Sequence, residues 1–253
     1  MVNDSIRARI ESLRLTLLEK SKFTYRSGSN DPVRLEDLAE TTEVENEHGT
    51  YLLLQRKVDQ YLSSEDLRTA ARIQLGVSDR YIFLDLETTG LASTPLFLAG
   101  TLYEKDGCLV AGQLLARDYS EEAGLISGLD NLLGNHHTCI TFNGKAFDIP
   151  YMRERAKYHR IEIKASPQHF DLLHHARRKW KHQLPNCRLV TLEWYILGRR
   201  RLGDIASWEV PCIYHEFVHT KDSGKLIGVL RHNLVDVVSM AELFIILSGV
   251  KAC

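Results

Sequence analysis

Two acidic residues stand two positions apart at the end of an apolar run. The run Tyr81–Leu86 carries a single acid, a pattern typical of a buried β-strand, and Glu87 follows it. Because side chains i and i+2 of a strand share a face, Asp85 and Glu87 point the same way. Two adjacent charged carboxylates repel each other, and a divalent cation such as Mg²⁺ or Mn²⁺ removes that penalty. The alternative is a pair of solvent-facing acids at a strand end.

Two further acids and a histidine stand at other element ends. Asp148 follows an apolar run, Thr138–Phe142, and precedes Pro150, which suits the first turn of a helix. Helix capping is the alternative role for Asp148. His232 and Asp236 are four positions apart in the last predicted helix, about 40° around its axis. Imidazole, with an ordinary pKa near 6.5, is suited to take a proton from water. An exposed helical pair is the alternative.

The apolar pattern also predicts the elements that position these residues. Three strands come first, the second and third joined by a turn at Lys105-Asp106-Gly107, and helix and strand patterns then alternate. The order predicts an α/β fold with a mixed sheet and helices on its faces. The predicted strands span residues 81–86, 96–103, 109–116 and 138–142, and the predicted helices span 121–133, 150–159, 171–181 and 232–247.

The N-terminal 77 residues show a different pattern. Residues 5–20 have helical apolar spacing, 27–32 are turn-rich, 50–54 are strand-like, and 63–75 resemble a capped helix ending before Gly76. These features predict a small helical and irregular appendage over residues 1–77, followed by the main domain over 78–253.

Composition favours a globular protein of the cytoplasm. Of the 253 residues, 44% are hydrophobic and 26% charged, and no apolar run approaches the roughly 20 residues that cross a bilayer. Charged residues interrupt the N-terminus where a secretory signal needs an apolar core. Five cysteines, without paired zinc-type spacing, are expected to be free thiols: Cys108, Cys139, Cys187, Cys212 and Cys253.

Positive charge is concentrated in one segment. Residues 152–201 contain thirteen Lys or Arg against four acids, a net charge of +9, in a chain whose formal net charge is −1. Such a local surplus is typical of proteins that bind a polyanion. The alternative is a solvated helix surface.

Three ordered motifs resemble a known superfamily. FLDLETTGL, NGKAFDIPYM and HNLVDVVSM are similar to the three motifs of the DEDD exonucleases, which share the ribonuclease H-like fold. FDLLHHARRKW, CRLVTLEWYILG and the HN-x-x-D pattern are similar to the YprB-like branch. The likeness spans residues 80–248, and it implies three antiparallel strands followed by parallel β-α units in a 3′→5′ exonuclease domain.

The resemblance implies a role for each acid in a two-metal-ion reaction. Asp85 would bridge two divalent ions, Mg²⁺ or Mn²⁺. Glu87 and Asp236 would complete the tighter site, and Asp148 would support the second through water. His232 would be the general base.

The resemblance also implies the substrate and its contacts. The substrate would be single-stranded or frayed DNA, shortened from its 3′ end to nucleoside 5′-monophosphates, in DNA repair and with a helicase or another repair partner. An RNA 3′-end exoribonuclease and a non-catalytic nucleic-acid-binding module are the alternatives. The terminal nucleotide would be held by Thr88, Thr89, Gly90, Leu91 and Asn143.

The sequence departs from the family patterns in two places. His232 precedes Asp236 by four positions, whereas the commoner histidine-type motif has five. Asp204-Ile205 continues into Ala206 rather than into the proline-glycine turn of the branch.

Other polar and aromatic residues are expected to be structural. Asp171 is predicted to cap a helix, and Glu193 to contact Arg199 or a neighbour. Three aromatic residues that could stack on bases are expected to lie in the core: Trp180, Tyr195 and Trp208.

Overall fold

A computed structural model of the protein describes residues 35, 40–60, 62–77, 80–90, 93–201 and 203–250. The predicted helix over 5–20, the predicted turn over 27–32, Cys253 and Leu91 lie outside the described residues. The four cysteines inside them are free thiols. No helix in this part of the chain has the length and apolar character needed to cross a membrane.

A seven-stranded mixed sheet runs through the molecule in the order β1-β2-β5-β4-β3-β6-β7. Strands β1 to β5 pair antiparallel with their neighbours, and β3, β6 and β7 pair in parallel. The predicted ribonuclease H-like arrangement of three antiparallel strands and parallel β-α units is confirmed. The strands are β1 Glu40–Asn46, β2 Gly49–Lys57, β3 Tyr81–Thr88, β4 Leu96–Lys105, β5 Cys108–Leu115, β6 Thr138–Thr141 and β7 Gln168–Asp171.

The described residues also form seven α-helices. Of these, α7 packs against β3, β4 and β5 and against α1, whereas α2 packs against β2, β4 and β5. A five-residue π-helix, Glu193–Leu197, continues directly from α5. The helices are α1 Ser64–Leu75, α2 Glu122–Gly134, α3 Asp148–Tyr158, α4 Leu172–Trp180, α5 Leu189–Leu192, α6 Val210–Thr220 and α7 Leu226–Ser248.

The central strand β3 contributes to two apolar clusters. Ile82 and Leu84 lie in the cluster that holds α2 and α3, and Tyr81 and Phe83 lie in the cluster that holds α1 and most of α7. Successive strand residues alternate between faces, so the odd-numbered positions of β3 face α7. Asp85 and Glu87 continue this odd-numbered face at the carboxyl end of the strand.

The last helix is longer than the sequence predicted. It begins at Leu226 rather than near His232, and the N–H of Ile227 donates to the Ser223 carbonyl oxygen at 3.0 Å. Because Ser223-Gly224 has the composition of a helix break, the sequence did not predict the first turns of α7. His232 therefore lies inside the helix, where its direction is fixed by the backbone on both sides.

The strands that the sequence missed are the two edges of the sheet. β1 (ETTEVEN) and β7 (QHFD) contain few apolar residues because an edge strand is partly solvated, so neither gives a buried-strand pattern. The hairpin β1–β2 joins the main sheet through β5, and α1 packs on α7. The boundary predicted at residue 77 stays a prediction, and the described residues before it contribute to the same sheet.

Candidate active site

Strand β3 and helix α7 bring three of the predicted site residues into one cluster. Ligand atoms of Glu87, His232 and Asp236 all lie within 4.8 Å of one another. The two α7 residues are one turn apart, and the His232 Nε2 atom is 3.5 Å from Asp236 Oδ2. The cluster therefore forms where the odd-numbered face of β3 meets one face of α7.

Asp148 reaches the same place from the first turn of α3. Its Oδ1 accepts a hydrogen bond from the Leu86 N–H at 3.1 Å, between Asp85 and Glu87 in the chain. The N-cap of this helix is Phe147 and has no side-chain capping bond, so Asp148 does not act as the cap that was its alternative role. The buried carboxylate instead joins α3 to the carboxyl end of β3.

Asn233 fixes the direction of the Asp85 carboxylate. Its Nδ2 donates to Asp85 Oδ2 at 2.9 Å, while its Oδ1 accepts from Gln113 Nε2 at 3.0 Å. The fully buried amide fits because residue 100 of β4 is glycine: a Cβ there would lie 2.1 Å from Asn233 Oδ1. One oxygen of Asp85 is thus held from α7, and sequence reasoning assigned Asn233 no role.

Asp204 fixes the direction of His232. The His232 Nδ1 atom is 2.9 Å from Asp204 Oδ1, so a proton on Nδ1 is donated to the carboxylate. In the neutral ring the lone pair then belongs to Nε2, the atom nearer Asp236. Burial lowers the pKa of His232, but the Asp204 hydrogen bond and the charges of Asp236 and Glu87 raise the pKa above its usual value on balance.

Arg201 is a second residue, after Asn233, whose contacts with the site the sequence did not reveal. It forms a two-pronged ion pair with the fully buried Glu193, with both N···O distances 2.6 Å, and also donates to Asp236. Its Nη1 lies 3.1 Å from Asp204 Oδ2. The predicted contact of Glu193 with Arg199 is limited to the main chain, where the Arg199 N–H donates to the Glu193 carbonyl oxygen.

The site carries more negative charge than its own cations offset. Burial raises the pKa of Asp85 well above its usual range, and the charges of Asp236, Glu87 and Asp148 raise it further. Burial likewise raises the pKa of Glu87 to about 8 and that of Asp148 to about 7. Burial raises the pKa of Asp236 as well, although Arg201 and His232 oppose the shift. In the protein without metal, these carboxyl groups keep their protons at pH values at which solvent-exposed acids are ionised.

This donor set fits a hard divalent cation. Four buried or half-buried carboxyl groups supply oxygen ligands, which Mg²⁺ and Mn²⁺ prefer, and the charge of a cation would favour the ionised form of each acid. Asp85, Glu87, Asp148 and Asp236 are the residues that could hold it. His232 lies beside them with Nδ1 already occupied by Asp204.

The predicted substrate contacts flank the acids on two loops. After β3, the Thr88 hydroxyl donates to the Gly90 carbonyl oxygen at 2.7 Å, and Thr89 Oγ1 donates to the Pro95 carbonyl oxygen at 3.2 Å. After β6, Asn143 has a positive φ of 67°, and its N–H donates to Asp171 Oδ1 at 2.9 Å.

Asp171 holds more than its own helix. It caps α4 by accepting from the Leu173 N–H at 3.0 Å, as predicted. Its carboxylate also accepts from the N–H groups of Asn143 and Lys145, so it shapes the loop that carries Asn143.

Two of the three aromatic residues expected in the core are exposed. Trp180 is buried, as predicted, but Tyr195 and Trp208 are 52% and 76% exposed. The prediction was wrong for these two because each lies in a short or irregular segment, where apolar spacing says little about burial. Trp194, next to Tyr195, is also half exposed.

Comparison with known proteins gives matches that span most of the described domain. A family model of the RNase_H superfamily matches residues 82–248. The uncharacterized protein YprB of Bacillus subtilis (strain 168) is 39% identical over 173 residues, 66% of this chain and 41% of the relative. The chain therefore spans about two-fifths of that relative's length.

A solved structure shares the fold at much lower identity. The family B DNA polymerase from the hyperthermophilic archaeon Pyrobaculum calidifontis superposes with a TM-score of 0.53 and 16% identity. The match covers 65% of this chain and 24% of the polymerase chain. At that identity the likeness concerns the fold alone.

Proposed function

The chain belongs to the RNase_H superfamily, and on that premise we propose that it is a metal-dependent 3′→5′ exonuclease that hydrolyses single-stranded DNA. The observation that carries the proposal is the cluster of Glu87, His232 and Asp236, with the carboxylates of Asp85 and Asp148 close enough for their charges to interact with it. A structural role would not require so much mutual repulsion, whereas a cation site that acts on phosphodiesters does.

The proposed cofactor is a pair of Mg²⁺ or Mn²⁺ ions. When bound, two such ions steady the attacking and leaving oxygens of a phosphodiester during in-line displacement. The protein's part is to hold the ligands in place: Asn233 directs Asp85, the Leu86 N–H directs Asp148, and Arg201 directs Asp236. Asp85, Glu87, Asp148 and Asp236 would hold the ions.

His232 is the proposed general base. With the Nδ1 proton held by Asp204, the Nε2 lone pair is free to take a proton from the attacking water. Because His232 lies inside α7, the helix backbone sets the direction of its side chain. The four-residue spacing to Asp236 alone left that direction open.

The terminal nucleotide is proposed to lie between two loops. Thr88, Thr89 and Gly90 stand at the carboxyl end of β3, and Asn143 stands at the carboxyl end of the neighbouring β6. We include Leu91 among the proposed nucleotide contacts because it directly follows Gly90 in the sequence. Binding at this edge would put the last phosphodiester near the carboxylates. DNA repair and a helicase or other repair partner belong to the proposal as the setting of the activity.

Two other functions remain as alternatives. An RNA 3′-end exoribonuclease would use the same carboxylates, and only the sugar of the substrate distinguishes it. A nucleic-acid-binding module without catalysis would keep the fold but would have no need of Asp204 beside His232.

The test follows the length of a 5′-labelled single-stranded DNA oligomer and its RNA counterpart with Mg²⁺, Mn²⁺ or EDTA. We expect a metal-dependent ladder that shortens from the 3′ end, lost in Asp85→Asn and reduced about 100-fold or more in His232→Ala. Glu216→Gln, an exposed acid of α6, is the matched control and should retain full activity.

Each other outcome has a defined meaning. Faster loss of the RNA strand would establish the exoribonuclease instead. Intact strands under every metal, with wild-type protein that binds the oligomers and unfolds cooperatively, would favour the binding module. Equal activity in wild type and Asp85→Asn would contradict the proposed metal site.

A further inference from the structure

The π-helix after α5 turns neighbouring side chains in opposite directions. Glu193 is fully buried, whereas Trp194 and Tyr195 are 49% and 52% exposed. The two exposed rings lie side by side, with centroids 5.6 Å apart and planes inclined by 27°. Two adjacent large aromatic side chains held in solvent lose apolar burial, which makes them candidates for a binding function.

A cation is stacked on the same pair. The guanidinium carbon of Arg200 is 3.9 Å from the centroid of the Trp194 ring. The two neighbours of Arg200 turn inward: Arg199 donates to Glu242, and Arg201 binds Glu193. Arg200 is the exposed member of the three and brings a positive charge to the aromatic pair.

This surface is rigidly joined to the carboxylate site. Trp194 directly follows Glu193, and Arg200 directly precedes Arg201. The buried Glu193–Arg201 ion pair therefore clamps both segments together, and the same guanidinium donates to Asp236. The aromatic pair is thus connected to Asp236 through one buried ion pair.

The charge around the aromatic pair favours an anionic occupant. Three of the thirteen basic residues in 152–201 turn inward to acids: Arg155, Arg199 and Arg201. The other ten are exposed: Arg153, Lys157, Arg160, Lys164, Arg177, Arg178, Lys179, Lys181, Arg188 and Arg200.

We propose that Trp194, Tyr195 and Arg200 form a stacking platform for unpaired bases of the substrate strand, next to the catalytic site. The inference rests on the proposed nuclease function and identifies residues that would select a single strand, because the base faces of a duplex are covered by their neighbours. Aromatic rings stack on bases of any sequence, and Arg200 adds contact with the base plane or the adjacent phosphate.

The test compares binding of two oligomers of equal length in EDTA, one of thymidylate and one with abasic sugars on the same number of phosphates. Wild type should bind the base-bearing oligomer about tenfold or more tightly, with quenching of tryptophan fluorescence. Trp194→Ala should remove most of that preference, and Trp194→Phe should keep most of it. Arg200→Ala should weaken binding of the base-bearing oligomer.

Tyr158→Ala is the matched control. Tyr158 is also an exposed ring over an arginine, 4.3 Å from the Arg155 guanidinium carbon, but it stands at the far end of α3 from Asp148. This variant should keep the wild-type preference. An unchanged preference in Trp194→Ala would overturn the platform. A Trp194→Ala variant that binds both oligomers as wild type does but no longer binds a protein partner would also overturn it.

The two proposals fail separately. Binding is measured without metal, so a protein that prefers bases through Trp194 but hydrolyses nothing would retain the platform and lose the nuclease. Metal-dependent hydrolysis with no preference for bases would do the reverse.

Discussion

At the scale of single residues, three of the four acids of the candidate site are held by a hydrogen-bond donor from elsewhere in the fold. Asn233 holds Asp85, the Leu86 N–H holds Asp148, and Arg201 holds Asp236. Burial raises the pKa values of Asp85, Glu87 and Asp148, and the charges of neighbouring acids raise them further. Under the proposed function, these raised pKa values are the stability cost of a site that would hold a cation.

Replacing Glu87 should change how stability depends on pH. The folded-state pKa of Glu87 is about 8, above its ordinary value near 4.5, so the folded protein binds more protons than the unfolded chain between these values. Wild-type stability from this group is therefore full below about pH 4.5 and is lost as the pH rises towards 8. The free energy of unfolding of Glu87→Gln relative to that of wild type should therefore rise by about 4 kcal/mol between about pH 5 and pH 8.5.

The measurement is urea unfolding in EDTA at both pH values. Glu45→Gln, an exposed acid on the edge strand β1, is the control and should show the same difference from wild type at each pH. A constant difference for Glu87→Gln as well would mean that Glu87 is ionised in the folded protein at both pH values.

The sequence predicted the acids of the site but not the residues that hold them. Asp85, Glu87, His232 and Asp236 could be selected because spacing of two in a strand or four in a helix puts side chains on one face. Asn233, Asp204 and Arg201 act across distances of 28 to 148 residues along the chain. Contacts of that kind depend on tertiary packing and have no local pattern.

At the scale of elements, the site depends on how closely α7 approaches the sheet. Residue 100 in β4 pairs with Asp85 of β3 and lies under the Asn233 amide, so only a hydrogen fits between strand and helix at this point. The buried strands, paired by their apolar runs, were predictable. The early start of α7 was not, because Ser223-Gly224 resembles a helix break.

Gly100→Ala should therefore destabilise the protein and impair the site together. The added Cβ would lie 2.1 Å from Asn233 Oδ1, so the amide or the helix must move, at a cost of about 1–3 kcal/mol. Gly134→Ala is the matched control: its Cβ would meet nothing nearer than 4.0 Å at the end of α2, so stability should be unchanged or slightly higher. Urea unfolding and Mn²⁺ titration by calorimetry measure both effects. Wild-type stability with wild-type Mn²⁺ affinity in Gly100→Ala would contradict the close approach.

At the scale of the whole molecule, charge is divided between the acidic cluster of the candidate site and the basic segment over residues 152–201. The acids concentrate where β3, α3 and α7 meet, whereas the exposed basic side chains follow α3, α4 and the segments after them. The sequence predicted the surplus in residues 152–201 but not that Arg155, Arg199 and Arg201 are committed to buried or half-buried acids. Ten exposed cations therefore remain to attract a polyanion to the site.

Binding of a single-stranded oligomer should consequently weaken steeply with salt. Each phosphate contact releases counterions and adds about 0.7 to the slope of log affinity against log salt concentration for a single strand. Neutralising two exposed cations of α4 in Arg177→Gln/Arg178→Gln should make the slope shallower by about 0.7 to 1.4. Arg72→Gln/Lys105→Gln removes two exposed cations outside the segment and should leave the slope unchanged. Fluorescence titration in EDTA at several salt concentrations gives the slopes. A flat response of the wild type, or equal changes in the two double variants, would mean that the basic segment does not contact the strand.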